Sequence, residues 1–188
     1  AAINTLLTHE NIVNTYAYDL RPVDSSLPDN KHAVHWKLYI IQEWCDSGNL
    51  AQAVDRGLLL KDGRPNYISI LQLAKDIAKG LAFVQQKNVI HGDLSSGNIM
   101  LRFDARAVSC YTAKVCDFGL SRFLDGPNQS HISNARQGTP FYISPEVLHQ
   151  GIMSKDADVF SYGVLLWEMW CGRPPWRNPE LQATGIVL

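Results

Sequence analysis

Along 67–86 the apolar residues Ile70, Leu71, Leu73, Ala74, Ile77, Leu81 and Val84 recur at helical spacing, so an amphipathic helix is predicted there. The opening, 1–7, places Ile3, Leu6 and Leu7 at the same spacing with no capping residue before them, and reads as the tail of a helix already under way. Residues 11–18 alternate weakly, and 36–44 (WKLYIIQEW) are rich in aromatic and β-branched side chains; both predict strands. The polar stretch between them, 19–35, holds two prolines and reads as a surface loop. Short strands are expected at 99–102 and 113–116, flanking a turn. Residues 117–146 lack periodicity and carry Gly, Pro, Ser and Asn, the composition of a long functional loop. Residues 157–171 (ADVFSYGVLLWEMWC) are apolar nearly all round, which predicts a helix buried in a core, ended by Gly172 and the Pro174-Pro175 pair.

Composition narrows the function classes. A chain of 188 residues fits one domain with a real core. Seventeen basic against eighteen acidic residues leave a net charge of −1, so nothing favours nucleic acid or anionic lipid as a partner. Four cysteines (Cys45, Cys110, Cys116, Cys171) show no metal-ligand spacing and are expected to be reduced, partly buried thiols. The best apolar run, 164–170, is interrupted by Glu168 and is far shorter than the ~20 residues a membrane span needs. With no basic, apolar leader at the start, a soluble cytoplasmic protein is the expectation.

Two strings carry chemistry: HGDLSSGN at 91–98 and CDFGL at 116–120. Phosphoryl transfer needs a carboxylate that orients the attacking hydroxyl and accepts its proton, and metal ions that bridge phosphate oxygens. Asp93, in a loop after a strand, suits the first task. Asn98 and Asp117 offer hard oxygen ligands that suit Mg²⁺. Gly119 allows a sharp turn after Asp117 while Phe118 packs inward. The plain reading of Asp93 is a turn or capping aspartate. Against it stands the ordered company of HxDLxxxxN, then DFG, then GTPxYxSPE (138–146). His91 is expected to brace the loop rather than act as a base, and His32 and His35 flank no ligand set. Ser130, Ser133 and Thr139 are loop hydroxyls open to phosphorylation, although turn formation is the commoner role.

In this order the motifs resemble the protein kinase family, and most closely its tyrosine-kinase-like serine/threonine group. The resemblance implies an α+β, kinase-like fold across 1–188: an N-lobe remnant and hinge strand at 1–44 (end of a regulatory helix and two to three strands), and a helical C-lobe at 45–188 that stops before its last helices. It implies ATP and Mg²⁺ as cofactors and a protein with a Ser or Thr acceptor as substrate. HGDLSSGN resembles the catalytic loop, CDFGL the metal-binding loop and GTPFYISPE the end of the activation segment. Asp93, Asn98, Asp117 and Thr139 take catalytic positions, with Thr139 bonding the catalytic Asp, and Asn98 and Asp117 hold metal. LYIIQEWCDSGNL (38–50) resembles the adenine-binding strand and hinge: Gln42 as gatekeeper, the Glu43 carbonyl and Cys45 amide on the base, and Met100 beneath it. Asp158 is expected to hold the catalytic-loop backbone through hydrogen bonds. HENIV (9–13) resembles the junction between regulatory helix and next strand.

The departures from the family pattern matter as much. A Gly-rich loop, a strand lysine and a regulatory-helix glutamate are missing, so the chain is expected to be a piece of a larger kinase domain, weak in ATP binding by itself and prone to aggregate. Gly92 replaces the Arg that commonly precedes the catalytic Asp and pairs with an activating phosphate. Ser95 stands where serine/threonine kinases carry a Lys that stabilises the transferring group. Glu146 is left without its usual arginine partner. These differences keep a second expectation open: a pseudokinase serving as a binding or scaffolding module.

Overall fold

The computed structural model describes residues 6–23, 35–124 and 129–175. The start of the expected opening helix, most of the polar loop after it, and 176–188 lie outside them. The chain enters at Leu6–Leu7 and passes through the tight segment 11–14 into β1 (Thr15–Val23), which pairs antiparallel with β2 (His35–Gln42). The strand therefore runs four residues beyond the predicted boundary at 19. Asp19 through Pro22 pair with Tyr39 through Trp36: ladder bonds to a strong partner strand override the local polar and proline signal, and Pro22 is tolerated on this two-stranded edge.

A six-residue helix, α1 (Leu50–Asp55), follows a capping box in which Asn49 Oδ1 accepts from the Gln52 amide at 2.9 Å and Gln52 Oε1 accepts from the Asn49 amide at 3.2 Å. The small hairpin β3 (Leu60–Lys61) and β4 (Arg64–Pro65) leads to α2 (Tyr67–Gln86), whose bounds are those the apolar stripe predicts. Its buried face, Ile70, Leu73, Ala74, Ile77, Leu81 and Val84, lies against the strand Tyr111–Val115 and the helix Lys155–Cys171. Then come β5 (Val89–Ile90), a 3₁₀ turn (Ser96–Asn98), and the ladder of β6 (Ile99–Phe103) with β7 (Tyr111–Val115). Two-residue strands tie down the long segment that follows: β8 (Arg122–Phe123) on β5, and β9 (His131–Ile132) on β10 (Met153–Ser154). Two helices close the described chain, α3 (Pro145–Gln150) and α4 (Lys155–Cys171).

One close approach fixes how the first segment joins the rest. Val13 N–H donates to the Val115 carbonyl and Val115 N–H to the Asn11 carbonyl, both at 2.9 Å, so 11–13 adds to the edge of β7. This segment crosses α2 at Gly80, where a Cβ would stand 2.6 Å from the Asn11 carbonyl oxygen. Only glycine leaves that space.

Helix α4 corrects the expectation drawn from its composition. Its buried positions are Ala157, Asp158, Ser161, Leu165, Glu168 and Met169, whereas Val159, Phe160, Trp167 and Trp170 are exposed among the described residues. The stripe that faces inward is thus half polar. Two cysteines also differ from expectation: Cys110 and Cys171 are exposed. No described helix is long and apolar enough to cross a membrane.

Candidate active site

The 91–98 loop hangs between β5 and β6 and is gripped from below by α4. Asp158, at the first turn of that helix and 1% exposed, accepts from the His91 amide (Oδ2, 2.8 Å) and the Gly92 amide (Oδ1, 2.9 Å). Burial pushes its carboxyl up, against the opposing pull of His91 and the two amides. His91 is fully buried and meets the Phe118 ring at a tilt of 56°, with ring centroids 5.0 Å apart. Its Nδ1 accepts from the Asp93 amide at 3.3 Å. The proton therefore sits on Nε2, which donates to the Cys116 carbonyl at 3.0 Å. This imidazole joins the loop to the strand that delivers Asp117.

Asp93 is the meeting point of three segments. Its Oδ1 accepts from the Thr139 amide at 2.7 Å and the Thr139 hydroxyl at 2.6 Å. Asn98 Nδ2 donates to the Asp93 carbonyl at 2.7 Å and to Oδ2 at 3.1 Å. With its amide nitrogen so committed, Asn98 presents its Oδ1 as the remaining polar atom. Asp117 stands apart from this group. It is exposed, in the left-handed region at φ 60°, and its Oδ1 accepts from the Gly119 amide at 3.1 Å. Phe118 turns inward into the main core. Burial and the neighbouring Asp117 push the Cys116 thiol up to about 12, so it stays protonated.

A second carboxylate, overlooked in the sequence, fastens the same parts. Glu168 of α4 is 1% exposed; its Oε1 accepts from Ser96 Oγ at 3.0 Å and its Oε2 from the Tyr142 hydroxyl at 2.5 Å. Ser96 and Tyr142 also lie 3.0 Å apart. One glutamate thus joins the 3₁₀ turn that carries Asn98, the end of the 117–146 segment, and the central helix. Burial pushes Glu168 up, and its two donors work against that; burial and the Glu168 bond push Tyr142 up as well. A signal was available: a lone glutamate in an apolar helix must find partners when buried.

At the other end of the site, the backbone after β2 places Glu43, Trp44 and Cys45 beside β6. Among the described residues no hydrogen bond uses the Glu43 carbonyl or the Cys45 amide, whereas the neighbouring Glu43 amide donates to the Asn14 carbonyl at 2.8 Å. Met100, half-buried on β6, faces this region through its bridge with Asn49. Gln42 is exposed and donates to Thr15 Oγ1 at 3.0 Å. The Glu43 side chain has a separate task. Its Oε2 accepts from Lys114 Nζ at 3.0 Å and from the Asn14 amide and side chain at 3.2 Å, and its Oε1 accepts from Arg102 at 3.0 Å. Glu43 and Lys114 are only 7% and 6% exposed in their side chains. Burial would raise the Glu43 carboxyl, but Lys114, the Asn14 amide and Arg102 outweigh it and hold it below the usual range.

The departures also find their places. Gly92 adopts φ 76°, and a Cβ there would stand 3.1 Å from the Leu120 carbonyl oxygen and 3.2 Å from Met153 Sδ. Ser95 is buried. No ion pair among the described residues involves Asp93, Asp117, Glu146, Asp158 or Glu168. His32 lies outside the described residues.

Comparison with known proteins places this geometry. The family model for protein tyrosine and serine/threonine kinases matches residues 1–185. The dual specificity protein kinase zakA of Dictyostelium discoideum is 34% identical over 143 residues, which cover 72% of this chain and 17% of that protein. The serine/threonine-protein kinase CTR1 of Arabidopsis thaliana is 36% identical over 146 residues, 75% of this chain and 16% of the relative. The human dual specificity testis-specific protein kinase 2 is 36% identical over 133 residues, 71% of this chain and 22% of the relative. The chain therefore spans under a quarter of the length of each of these three. Matched over nearly all of its residues, it belongs to the protein tyrosine and serine/threonine kinase family.

Proposed function

We propose that the protein carrying this domain transfers the γ-phosphoryl group of ATP to a Ser or Thr hydroxyl of a protein substrate. The observation that carries the reading is Asp93, whose Oδ1 is held by both the amide and the hydroxyl of Thr139 while Asn98 bonds its Oδ2. Neutral donors fix the direction of this carboxylate toward an incoming hydroxyl, and no cation among the described residues pairs with it. Asp93 orients that hydroxyl and takes its proton; the oxygen bonds to the γ-phosphorus as the bond to the β–γ bridging oxygen breaks, and ADP leaves. The Thr139 hydroxyl, seated on the same carboxylate, favours a Ser or Thr acceptor.

The open Glu43 carbonyl and Cys45 amide fit an adenine edge, one accepting and one donating, with Met100 below. Asn98 Oδ1 and the Asp117 carboxylate fit Mg²⁺, which takes few protein ligands and completes its shell with phosphate oxygens and water. Bound there, the ion would neutralise charge on the phosphates. In this reading 1–44 belongs to a small lobe with its hinge strand, 45–175 to a helical lobe, and the protein is cytoplasmic.

A second reading, a pseudokinase that binds or scaffolds with little transfer, is favoured by Gly92 and Ser95, which put a close-packed glycine and a buried hydroxyl where the family pattern has cations. One experiment separates the two. The whole protein should phosphorylate a generic basic protein on Ser or Thr, and Asp93→Asn should lower the rate by about 100-fold or more. Equal rates for variant and wild type would sink the first reading, and Mg²⁺-dependent ATP binding without turnover would establish the second.

A further inference from the structure

We propose that Gln137 is a positioning residue for phosphotransfer, tying the strand after Asp117 to the segment that carries Thr139. The inference rests on the function proposed above. Thr139 can grip Asp93 only if the chain just before it is held to within tenths of an ångström. The bonds upstream show what holds it. Ala135 N–H donates to the Gly151 carbonyl at 3.0 Å and Arg136 to the His149 carbonyl at 3.2 Å, so those two residues anchor to the end of α3. Gln137 turns the other way. Its Nε2 donates to the Leu120 carbonyl at 3.0 Å, and its Oε1 accepts from Arg122 at 3.4 Å.

Leu120 is the point at which the metal-side loop meets the catalytic loop. The next residue, Ser121, donates through Oγ to the His91 carbonyl at 2.8 Å. The Leu120 carbonyl stands so near Gly92 that a Cβ there would lie 3.1 Å away. Glycine at 92 thus allows the carbonyl close to the loop and sends no side chain into the junction. Arg122 has only oxygen acceptors of neutral groups among the described residues: the carbonyls of Leu120 and Ser121, and Gln137 Oε1. A carboxamide suits both ends of this gap, as donor to the carbonyl and acceptor from the guanidinium. Asparagine carries the same neutral donor and acceptor on a side chain one methylene shorter. Through it, a shift of the loop that begins at Asp117 is felt two residues before Thr139.

The test uses the whole protein that carries this domain, with Gln137→Ala and Gln137→Glu. The glutamate keeps an acceptor for Arg122 but sets a carboxylate against the Leu120 carbonyl. Both variants should lower kcat about tenfold while KM for ATP stays within about twofold, since the nucleotide contacts are untouched. Amide hydrogen exchange should quicken in peptides that span 137–142 and nowhere else. A kcat within twofold of wild type in either variant overturns the proposal, as does loss of kcat in step with a general loss of thermal stability and protection. Should wild type itself transfer no phosphate, the function proposed above fails, and exchange alone decides: unchanged protection at 137–142 in both variants rejects the tie.

Discussion

The two ends of the site hold carboxylates in opposite ways. At the hinge, Glu43 is buried against Lys114 with Arg102 behind it, and its charge is neutralised by cations. On the acceptor side, Asp93, Asp158 and Glu168 are held only by amides and hydroxyls, with no ion pair among the described residues. The first arrangement suits a joint: an ion pair shielded from water fixes the β1–β2 hairpin to the β6–β7 ladder and leaves no charge for a ligand. The second fixes direction: neutral donors aim Asp93 with no cation on its charge, while the buried Asp158 and Glu168 brace the loop on which it stands. Mutations should therefore fail differently at the two ends.

The largest effect is expected at the hinge. Glu43→Leu leaves Lys114 buried without its carboxylate and should cost about 3–5 kcal/mol in denaturant unfolding; adding Lys114→Met should recover most of that loss. A double variant as unstable as the single one would break the contrast. Next, Asp158→Asn faces one loop amide with a donor instead of an acceptor, and should cost about 2–3 kcal/mol with a parallel fall in kcat. Tyr142→Phe removes one of the two donors to Glu168 and should cost about 1–2 kcal/mol by the same measurement. No loss there would mean that the network contributes no net stability.

The smallest and most discriminating effect is on pH. Glu43 is held below its ordinary value of 4.5, so the stability it contributes is present above that value and is lost as pH falls through the depressed one. Glu168 and Asp158 are shifted up by burial, so the folded state binds their protons more readily than the unfolded chain, and acidification costs nothing through them. Thermal midpoints measured from about pH 7 down to about pH 3 should fall less steeply in Glu43→Gln than in wild type. Identical slopes would show that the hinge pair is not the acid-sensitive element.

What the sequence discloses follows from the range of the forces involved. Helix α2 is legible because its apolar stripe and its cap are local. The extension of β1 past Asp19 is not, because the partner strand that stabilises it is remote. Helix α1 is legible in hindsight, through the Asn49-x-x-Gln52 capping box. Ordered strings brought Asp93, Asn98, Asp117 and Thr139 to notice, and the structure bonds three of these together while Asp117 turns back on Gly119. Lys114, Ser96, Tyr142 and Gln137 escaped notice because each acts through a partner 17 to 72 residues away, at no recurring spacing. Helix α4 misleads hydropathy, since Asp158, Ser161 and Glu168 turn inward beside Leu165 and Met169 while Phe160, Trp167 and Trp170 are exposed.

The edge pairing of the 11–13 segment on β7 has a consequence for synthesis. Asn11 bonds Ala113, 102 residues later. At about 5–20 residues per second, a ribosome needs on the order of 5–20 s to make that partner after the first segment has emerged. Throughout that interval the β1–β2 ribbon, with Tyr16, Tyr18, Leu20, Trp36 and Leu38 on its surface, has no ladder to join. These apolar strands wait for a partner made about 100 residues later, which makes nascent chains halted before residue 113 the ones most exposed to chaperone capture.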